Sequence, residues 1–196
     1  MFVIAAVVVF VLLFIWAGLA FLRKSLWDVV HLNLLDLEDN YDGKIIRNGF
    51  AARPVFHGKV DGNNLTINFS TAKTNSGRKT YIDISLTVES DFSLTITEKK
   101  WQQEQDGETR KNALELSTNN GTTYYIMPGD SEKVKVLTGD EGLKGVLEKF
   151  ENLVYFFIGQ SGAICEFWSD KIDIDTKFET MQPRLKQIRK LLEVLQ

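Results

Sequence analysis

Hydrophobic positions follow three successive patterns along the chain, and the first is an unbroken apolar run. Residues 2–22 carry no charge and no proline, and 15 of these 21 residues are Leu, Ile, Val or Phe. A helix of this length extends roughly 31 Å at about 1.5 Å per residue, which matches the hydrocarbon thickness of a bilayer. The pattern therefore predicts a transmembrane anchor over residues 1–24.

Two other structures are compatible with an apolar N-terminal run. Gly18-Leu19-Ala20 resembles the cleavage site of a secretory signal peptide, but no basic residue precedes the run. The run is also longer than the about 7–15 residues of a signal-peptide core. A buried core helix that is apolar on all sides would need a larger protein to cover it.

Arg23 and Lys24 follow the apolar run directly, whereas the N-terminal side carries only its amine. By the positive-inside rule, this asymmetry predicts a translocated N-terminus and a cytoplasmic C-terminal domain. The residues that we expect to contact lipid or the membrane interface are Phe2, Phe10, Phe14, Trp16, Leu22, Arg23 and Lys24.

The second pattern is a helical stripe that predicts a juxtamembrane stalk over residues 25–42. Leu26, Val30, Leu34 and Leu37 recur at intervals of four, four and three residues. No Pro or Gly interrupts residues 19–42, so we expect one long helix or two helices in line. The stalk would pack on the soluble domain or on a neighbouring protein, and its candidate partner contacts are Leu26, Trp27, Val30, Leu34 and Leu37.

The third pattern, from residue 43 onward, is the alternation of an antiparallel sheet with one buried face. Asp61-Gly62 predicts a tight hairpin, residues 74–77 a longer loop, and Asp106-Gly107 a protruding hairpin within residues 99–111. The predicted strands cover residues 55–60, 65–70, 81–88, 92–97, 114–117, 122–127, 133–137 and 163–168, with residues 171–174 as an extension or a partner of the last.

Helical spacing returns near the C-terminus. Residues 142–158 carry apolar side chains at intervals of four and three, ending at Gly159 and Gly162. Thr176 and Glu179 have capping-box spacing before a second stripe, within which Pro183 predicts a kink or a later helix start. We therefore expect an α+β fold, in which residues 43–196 form an antiparallel sheet domain packed against two amphipathic C-terminal helices.

Composition narrows the possible functions. The net charge of −3 and the pI of about 5.5 lack the basic footprint of a nucleic-acid-binding protein. Cys165 is the only cysteine, so an intrachain disulfide and paired-cysteine metal motifs are excluded.

Residues that could carry chemistry are few, and each has a structural interpretation. His31 and His57 are the only histidines, and no serine or cysteine motif accompanies them. Cys165 lies on an apolar strand face, which favours an inert thiol. Residues 77–80 lack the first glycine of a phosphate-binding loop, because Ala72 occupies that position.

Two charged clusters near the C-terminus each have more than one interpretation. Asp170, Asp173 and Asp175 could form a weak divalent-cation site or a solvated turn before a helix. Basic residues of the last helix could face anionic lipid, an acidic partner or solvent; these residues are Lys186, Arg189 and Lys190. No catalytic, cofactor or metal site is predicted.

The sequence therefore favours a single-pass, non-enzymatic accessory or scaffolding subunit of a larger membrane complex, of which respiratory and photosynthetic complexes are two possible types. Its expected partners are the lipid bilayer and other integral membrane proteins, which it would contact through the transmembrane helix and the stalk, and no nucleic acid. One alternative is a membrane-tethered sensor or small-ligand-binding module. Another is an enzyme, which would need His57, Cys165 or the carboxylates of residues 170–175 brought together in a cleft.

Overall fold

A single unbroken helix, α1 (Phe2–Asn40), joins the apolar run to the rest of the chain. The computed structural model describes residues 2–74, 77–106, 112–128, 131–139 and 141–195. After α1, the described residues form an antiparallel sheet with further helices, which confirms the predicted α+β fold.

The sheet contains nine strands among the described residues, in the order β1-β2-β3-β4-β9-β8-β5-β7-β6, and every neighbouring pair is antiparallel. The strands are β1 (Lys44–Ile46), β2 (Val55–Val60), β3 (Asn63–Thr74), β4 (Gly77–Leu86), β5 (Leu94–Glu98), β6 (Leu114–Ser117), β7 (Thr123–Met127), β8 (Leu153–Gly159) and β9 (Gly162–Ser169). The remaining helices are α2 (Lys99–Asp106), α3 (Glu132–Thr138), α4 (Glu141–Leu147), α5 (Ile172–Asp175) and α6 (Phe178–Leu195).

The two faces of the sheet differ as the alternation predicts. Ile82 and Ile84 of β4 point to one face with Cys165 and Phe167 of β9, and all four are buried. This core face belongs to one hydrophobic cluster with residues of α1, α4 and α6. The opposite face, which we call the open face, carries the intervening and more polar side chains.

Residues 133–137 form part of helix α3 and not the predicted strand. Val134 is buried and Leu137 half-buried, whereas Val136 is exposed. The buried positions are thus three residues apart, as in a helix. A window of five residues with three apolar positions fits both the two-residue period of a strand and the 3.6-residue period of a helix. The sequence of residues 133–137 alone therefore does not distinguish the two.

The helix predicted over residues 142–158 is wrong in its second half. The observed helix, α4, ends at Leu147. Strand β8 begins at Leu153 after the chain turns at Asn152, whose φ is 62°. Strand β8 lies between β9 and β5 and is apolar on both faces, so its sequence carries no alternation that could distinguish strand from helix. Gly159 and Gly162 face each other across the β8–β9 hairpin instead of ending a helix.

Two further predictions near the C-terminus are corrected. Residues 172–175 form helix α5 and do not extend a strand. Thr176 ends α5, where its hydroxyl donates to the carbonyl oxygen of Ile172. It lies two residues before the start of α6 at Phe178, so it is not at the N-cap position of α6. Helix α6 begins at Phe178 and continues through Pro183, whose side chain is exposed to solvent.

Residues 99–106 form helix α2, where the sequence suggested the approach to a hairpin. The predicted turn at Asp106-Gly107 extends outside the described residues. The connection predicted as a longer loop between β3 and β4 is short, because Thr74 pairs with Gly77. Asn75 and Ser76 themselves lie outside the described residues.

Candidate functional site

The first half of α1 is exposed over residues 2–22 apart from Ala20, which is half-buried. Among the described residues, α1 is the helix that is long and apolar enough to cross a membrane, and its most apolar window is not buried in the structure. This exposure excludes the buried core helix, whereas a signal sequence meets the same criterion of length and composition. The predicted anchor residues are exposed apart from Lys24, which is half-buried; they are Phe2, Phe10, Phe14, Trp16, Leu22 and Arg23.

The second half of α1 is built into the core of the sheet domain. Four of the five predicted partner-contact residues are buried within this chain: Trp27, Val30, Leu34 and Leu37. The rings of Trp27 and Phe69 of β3 lie 5.5 Å apart between centroids. Leu26 is the exception, with 41% of its surface exposed.

A polar contact fixes the same half of α1 to the C-terminal part of the domain. The Asn33 side-chain nitrogen donates to the carbonyl oxygen of Asp173 at 2.7 Å and to the Thr176 hydroxyl at 3.0 Å. Because Asn33 lies between the buried positions Val30 and Leu34, this contact specifies the rotation of α1 as well as its position.

A different side of the stalk carries the exposed apolar residues. Leu26, Val29, Leu32 and Leu35, which we call the lateral stripe, recur every three residues and are each at least 39% exposed. The stripe begins four residues after Leu22, so it continues the apolar surface of residues 2–22 along the stalk. The sequence prediction missed Val29, Leu32 and Leu35 because their three-residue spacing drifts around a helix with 3.6 residues per turn.

The loop of residues 47–54, between β1 and β2, lies beside the end of the apolar run in α1. The Arg47 guanidinium donates to the carbonyl oxygens of Ala52 at 2.9 Å and Phe50 at 3.1 Å, which holds the loop closed. Asp28 accepts hydrogen bonds from Lys24 and Arg47, and these bonds lower the pKa of its carboxyl. The loop displays Phe50, which is 65% exposed and whose ring centroid lies 5.4 Å from the Lys24 nitrogen.

Two half-buried carboxylates lie next to each other on the open face of the sheet. Asp83 of β4 and Glu166 of β9 are direct cross-strand neighbours. Burial, followed by the negative charge of Asp83, raises the pKa of Glu166 to about 7. The pair can therefore hold a proton near neutral pH or accept hydrogen bonds from a cationic group.

Helix α2 covers part of this open face. The Trp101 indole nitrogen donates to the Tyr81 hydroxyl at 3.1 Å, and the Trp101 ring lies 6.3 Å from that of Tyr155. Lys79 of β4 forms an ion pair with Glu104 of α2 at 2.9 Å. The cover of α2 explains how side chains on an otherwise open sheet face become half-buried.

His57 and Cys165, two of the residues that an enzyme would need in one cleft, lie on opposite faces of the sheet. Cys165 is buried on the core face, and burial raises the pKa of its thiol. His57 is exposed on the open face, where its Nδ1 atom lies 3.2 Å from the Thr66 hydroxyl. The sheet separates the two side chains, so they cannot act on one substrate.

The carboxylates of residues 170–175 do not converge on one point. Asp175 accepts a hydrogen bond from Ser169 at 2.6 Å and pairs with Arg184 at 3.3 Å, so its oxygens serve the packing of α6. Within the described ranges, no group of three or more His, Cys, Asp or Glu side chains is placed to hold a metal ion. Residues 77–80 begin strand β4 and are not the phosphate-binding loop considered from the sequence.

One surface cleft of about 300 Å³ lies between α6 and the segment that follows α4, and six of its eight lining residues are charged or polar. Small-molecule sites are usually apolar with a few convergent polar groups. The cleft is lined by Lys149, Phe150, Glu151, Glu179, Thr180, Pro183, Arg184 and Gln187.

The comparisons with known proteins concern the fold. No family model matches the sequence, and no curated protein matches it. Among solved structures, the chain is similar to the mycobacterial trehalose monomycolate transport factor A, TtfA, with a TM-score of 0.50 and 15% identity. The similarity covers 91% of this chain and 97% of that chain. At such low identity the similarity shows a shared fold.

Proposed function

We propose that this protein is a single-pass, membrane-anchored, non-enzymatic accessory subunit that holds its α+β domain against an integral membrane partner. The observation that carries the proposal is the continuity of α1, which is exposed over the apolar run and then buries one side in the domain core, namely Trp27, Val30, Leu34 and Leu37. A helix used in both ways transmits the position of the anchor to the domain without a flexible linker.

The lateral stripe is the proposed contact with the partner. A neighbouring transmembrane helix that packs against the anchor could continue along Leu26, Val29 and Leu32 beyond the bilayer, where exposed apolar side chains favour burial. This assigns partner binding to the side of the stalk that its own domain leaves uncovered. We place the domain on the cytoplasmic side, as Arg23 and Lys24 predict.

The fold similarity favours a transport assembly over the respiratory and photosynthetic complexes considered from the sequence. The similar structure is that of a factor whose name assigns it to trehalose monomycolate transport. We extend from it only the class of role, which is an accessory protein of a membrane transport system.

Affinity purification of the tagged chain from its own membranes in a mild detergent, with mass spectrometry, tests the proposal. We expect an integral membrane protein in a stoichiometric amount. The double variant Val29→Ser with Leu32→Ser should lose it, because the stripe becomes polar. The matched control is Val136→Ser with Ile164→Ser, which makes two exposed apolar residues outside α1 polar and should retain the partner.

Recovery of the wild-type chain alone, with no integral membrane protein, would contradict the subunit role. Equal loss of the partner in the stripe variant and in the control would contradict the assigned surface but not the role itself.

One observation favours the alternative of a tethered binding module, namely the half-buried carboxylate pair on the open face. A module of this kind would bind a small cationic ligand at Asp83 and Glu166. Binding of an alkyl diammonium probe that is lost in the variant Asp83→Asn with Glu166→Gln, while the membrane partner is retained, would favour the module.

A further inference from the structure

Three arginines that are distant in sequence lie close together beside the membrane end of α1. The Arg53 guanidinium donates to the carbonyl oxygen of Phe69 at 2.7 Å and to the Thr71 hydroxyl at 3.0 Å. Arg78 donates to the same Thr71 hydroxyl at 3.1 Å, so the two guanidinium groups share one acceptor. Burial, followed by the positive charges of Arg23 and Arg78, lowers the pKa of Arg53. Arg23 lies four residues before Trp27 in α1, so the two side chains are on the same side of the helix, with Arg23 one turn nearer the apolar run.

The position of this cluster relative to the anchor follows from its contacts with α1. The Arg53 guanidinium lies 5.6 Å from the centre of the Trp27 ring. Trp27 itself is five residues after Leu22, where the apolar run ends. Lys73, the cross-strand partner of Arg78, adds a fourth cation on the same face of the hairpin. We call Arg23, Arg53, Lys73 and Arg78 the junction cluster.

The junction cluster is only weakly compensated by negative charge. The carboxylate of Asp83 acts on Arg53 through its charge, but less strongly than burial and the charges of Arg23 and Arg78 do. Within the described part of the chain, none of its four residues forms an ion pair. The nearby carboxylate of Asp28 is engaged by Lys24 and Arg47 instead. Arg23, Lys73 and Arg78 are exposed, so the positive charge is open to an anionic ligand.

The chain therefore brings guanidinium groups and the exposed ring of Phe50 to the level at which the anchor leaves the hydrocarbon. Arginine forms bidentate hydrogen bonds with phosphate, and aromatic rings favour the membrane interface. We infer that the junction cluster binds the phosphate headgroups of anionic phospholipids in the bilayer that α1 crosses, and so holds the domain against the membrane surface. This inference depends on the anchor spanning a membrane and not on the identity of a protein partner.

The basic face of α6 provides a matched control within the same chain. Arg189 pairs with Asp61 at 3.0 Å, in the turn that precedes β3, whereas Arg78 lies at the opposite end of that strand. Strand β3 has 12 residues, which is roughly 40 Å at about 3.3 Å per residue. Lys186 and Lys190 are exposed on α6, so their removal changes the net charge far from the membrane end.

The experiment is to purify the full chain in detergent, supply phosphatidylglycerol and phosphatidylcholine in equal amounts, and quantify the lipid that stays bound by native mass spectrometry. We expect the wild type to retain mainly phosphatidylglycerol. The variant Lys73→Gln with Arg78→Gln should lose this preference by roughly fivefold or more per charge, the effect expected of a basic residue at an anionic surface. Lys186→Gln with Lys190→Gln should keep it.

Equal retention of both lipids by the wild type, or an equal loss of preference in both double variants, would overturn the inference. Both residues of the junction variant are exposed, and an unchanged unfolding temperature would show that it folds. The inference would likewise be overturned if inorganic phosphate at about 10 mM abolished the preference for phosphatidylglycerol while the junction variant kept that preference. Failure to retain lipid of any kind would instead count against the anchor, and hence against the proposed function.

Discussion

The two halves of α1 are equally helical, but they bury their apolar residues in different surroundings. Residues 2–22 are exposed on all sides, whereas the following residues bury one side against the sheet domain and leave the lateral stripe uncovered. The first half is apolar without a period, and the second half has a helical period. An apolar helix without a period is suited to apolar surroundings on all sides, whereas a helical period indicates an apolar protein surface on one side.

Leu34→Ala tests the domain half of α1 and should have the largest effect on folding. Leu34 is fully buried, so its truncation should lower the free energy of unfolding by about 2–5 kcal/mol. Denaturant unfolding of the full chain in detergent micelles measures this. Leu13→Ala, the same change in the exposed half, should leave the value unchanged. Equal effects of the two variants would remove the distinction between the halves.

Leu12→Arg tests the membrane half. An arginine near the centre of a transmembrane helix costs about 3 kcal/mol of insertion free energy, so the fraction of the chain that resists alkaline extraction from membranes should fall. Leu32→Arg, on the exposed part of the stalk, should leave this fraction unchanged. A chain that remains fully inserted with arginine at position 12 would argue against a spanning anchor.

The two faces of the sheet offer a second comparison, because the open face carries an acid where the core face is apolar. The pKa of Glu166 is raised from 4.5 to about 7, so the folded state binds more protons than the unfolded state between these values. Stability contributed by the protonated acid is therefore present below pH 4.5 and is lost as pH rises through about 7.

Glu166→Gln should remove this pH dependence. After allowance for solvent screening of a half-buried group, the variant should gain about 1 kcal/mol over the wild type at pH 8 and less at pH 5. Urea unfolding at both pH values measures the difference. Glu151→Gln, at an exposed carboxylate, is the control, and an equal gain there would contradict the assignment to Glu166.

Leu32→Ala should have the smallest effect on folding, although Leu34, two residues further along α1, is fully buried. Leu32 is 61% exposed, and surface substitutions usually change the free energy of unfolding by less than about 0.5 kcal/mol. Thermal unfolding of the full chain compares the two alanine variants directly. A loss comparable to that of Leu34→Ala would mean that the lateral stripe is already covered by a second copy of the chain.

The accuracy of the sequence predictions varied with the environment of each segment. Alternation located β2, β3 and β4 because each has one buried and one solvated face. It failed for β8, whose position in the middle of the sheet makes both faces apolar and removes the alternation. At α3, five residues were too few to distinguish a period of two from one of 3.6.

The sequence by itself determined the features that depend on local composition and spacing. The exposed anchor, the buried stripe of Val30, Leu34 and Leu37, and the α+β class all follow from which residues are apolar and at what interval. Each of these properties depends on the residues of one segment, so it can be predicted without knowing which other segment packs against it.

Only the tertiary structure decided which surface the stalk stripe packs against and which residues meet at the membrane end. The spacing of Val30, Leu34 and Leu37 predicts burial equally well against the chain's own sheet or against another protein. In the structure these three residues belong to the core of the sheet domain. Arg53 and Arg78 are 25 positions apart and meet through the Thr71 hydroxyl, because the pairing of β3 with β4 brings Arg78 within reach of it. Strand order and register determine such meetings, and neither is a property of any one segment.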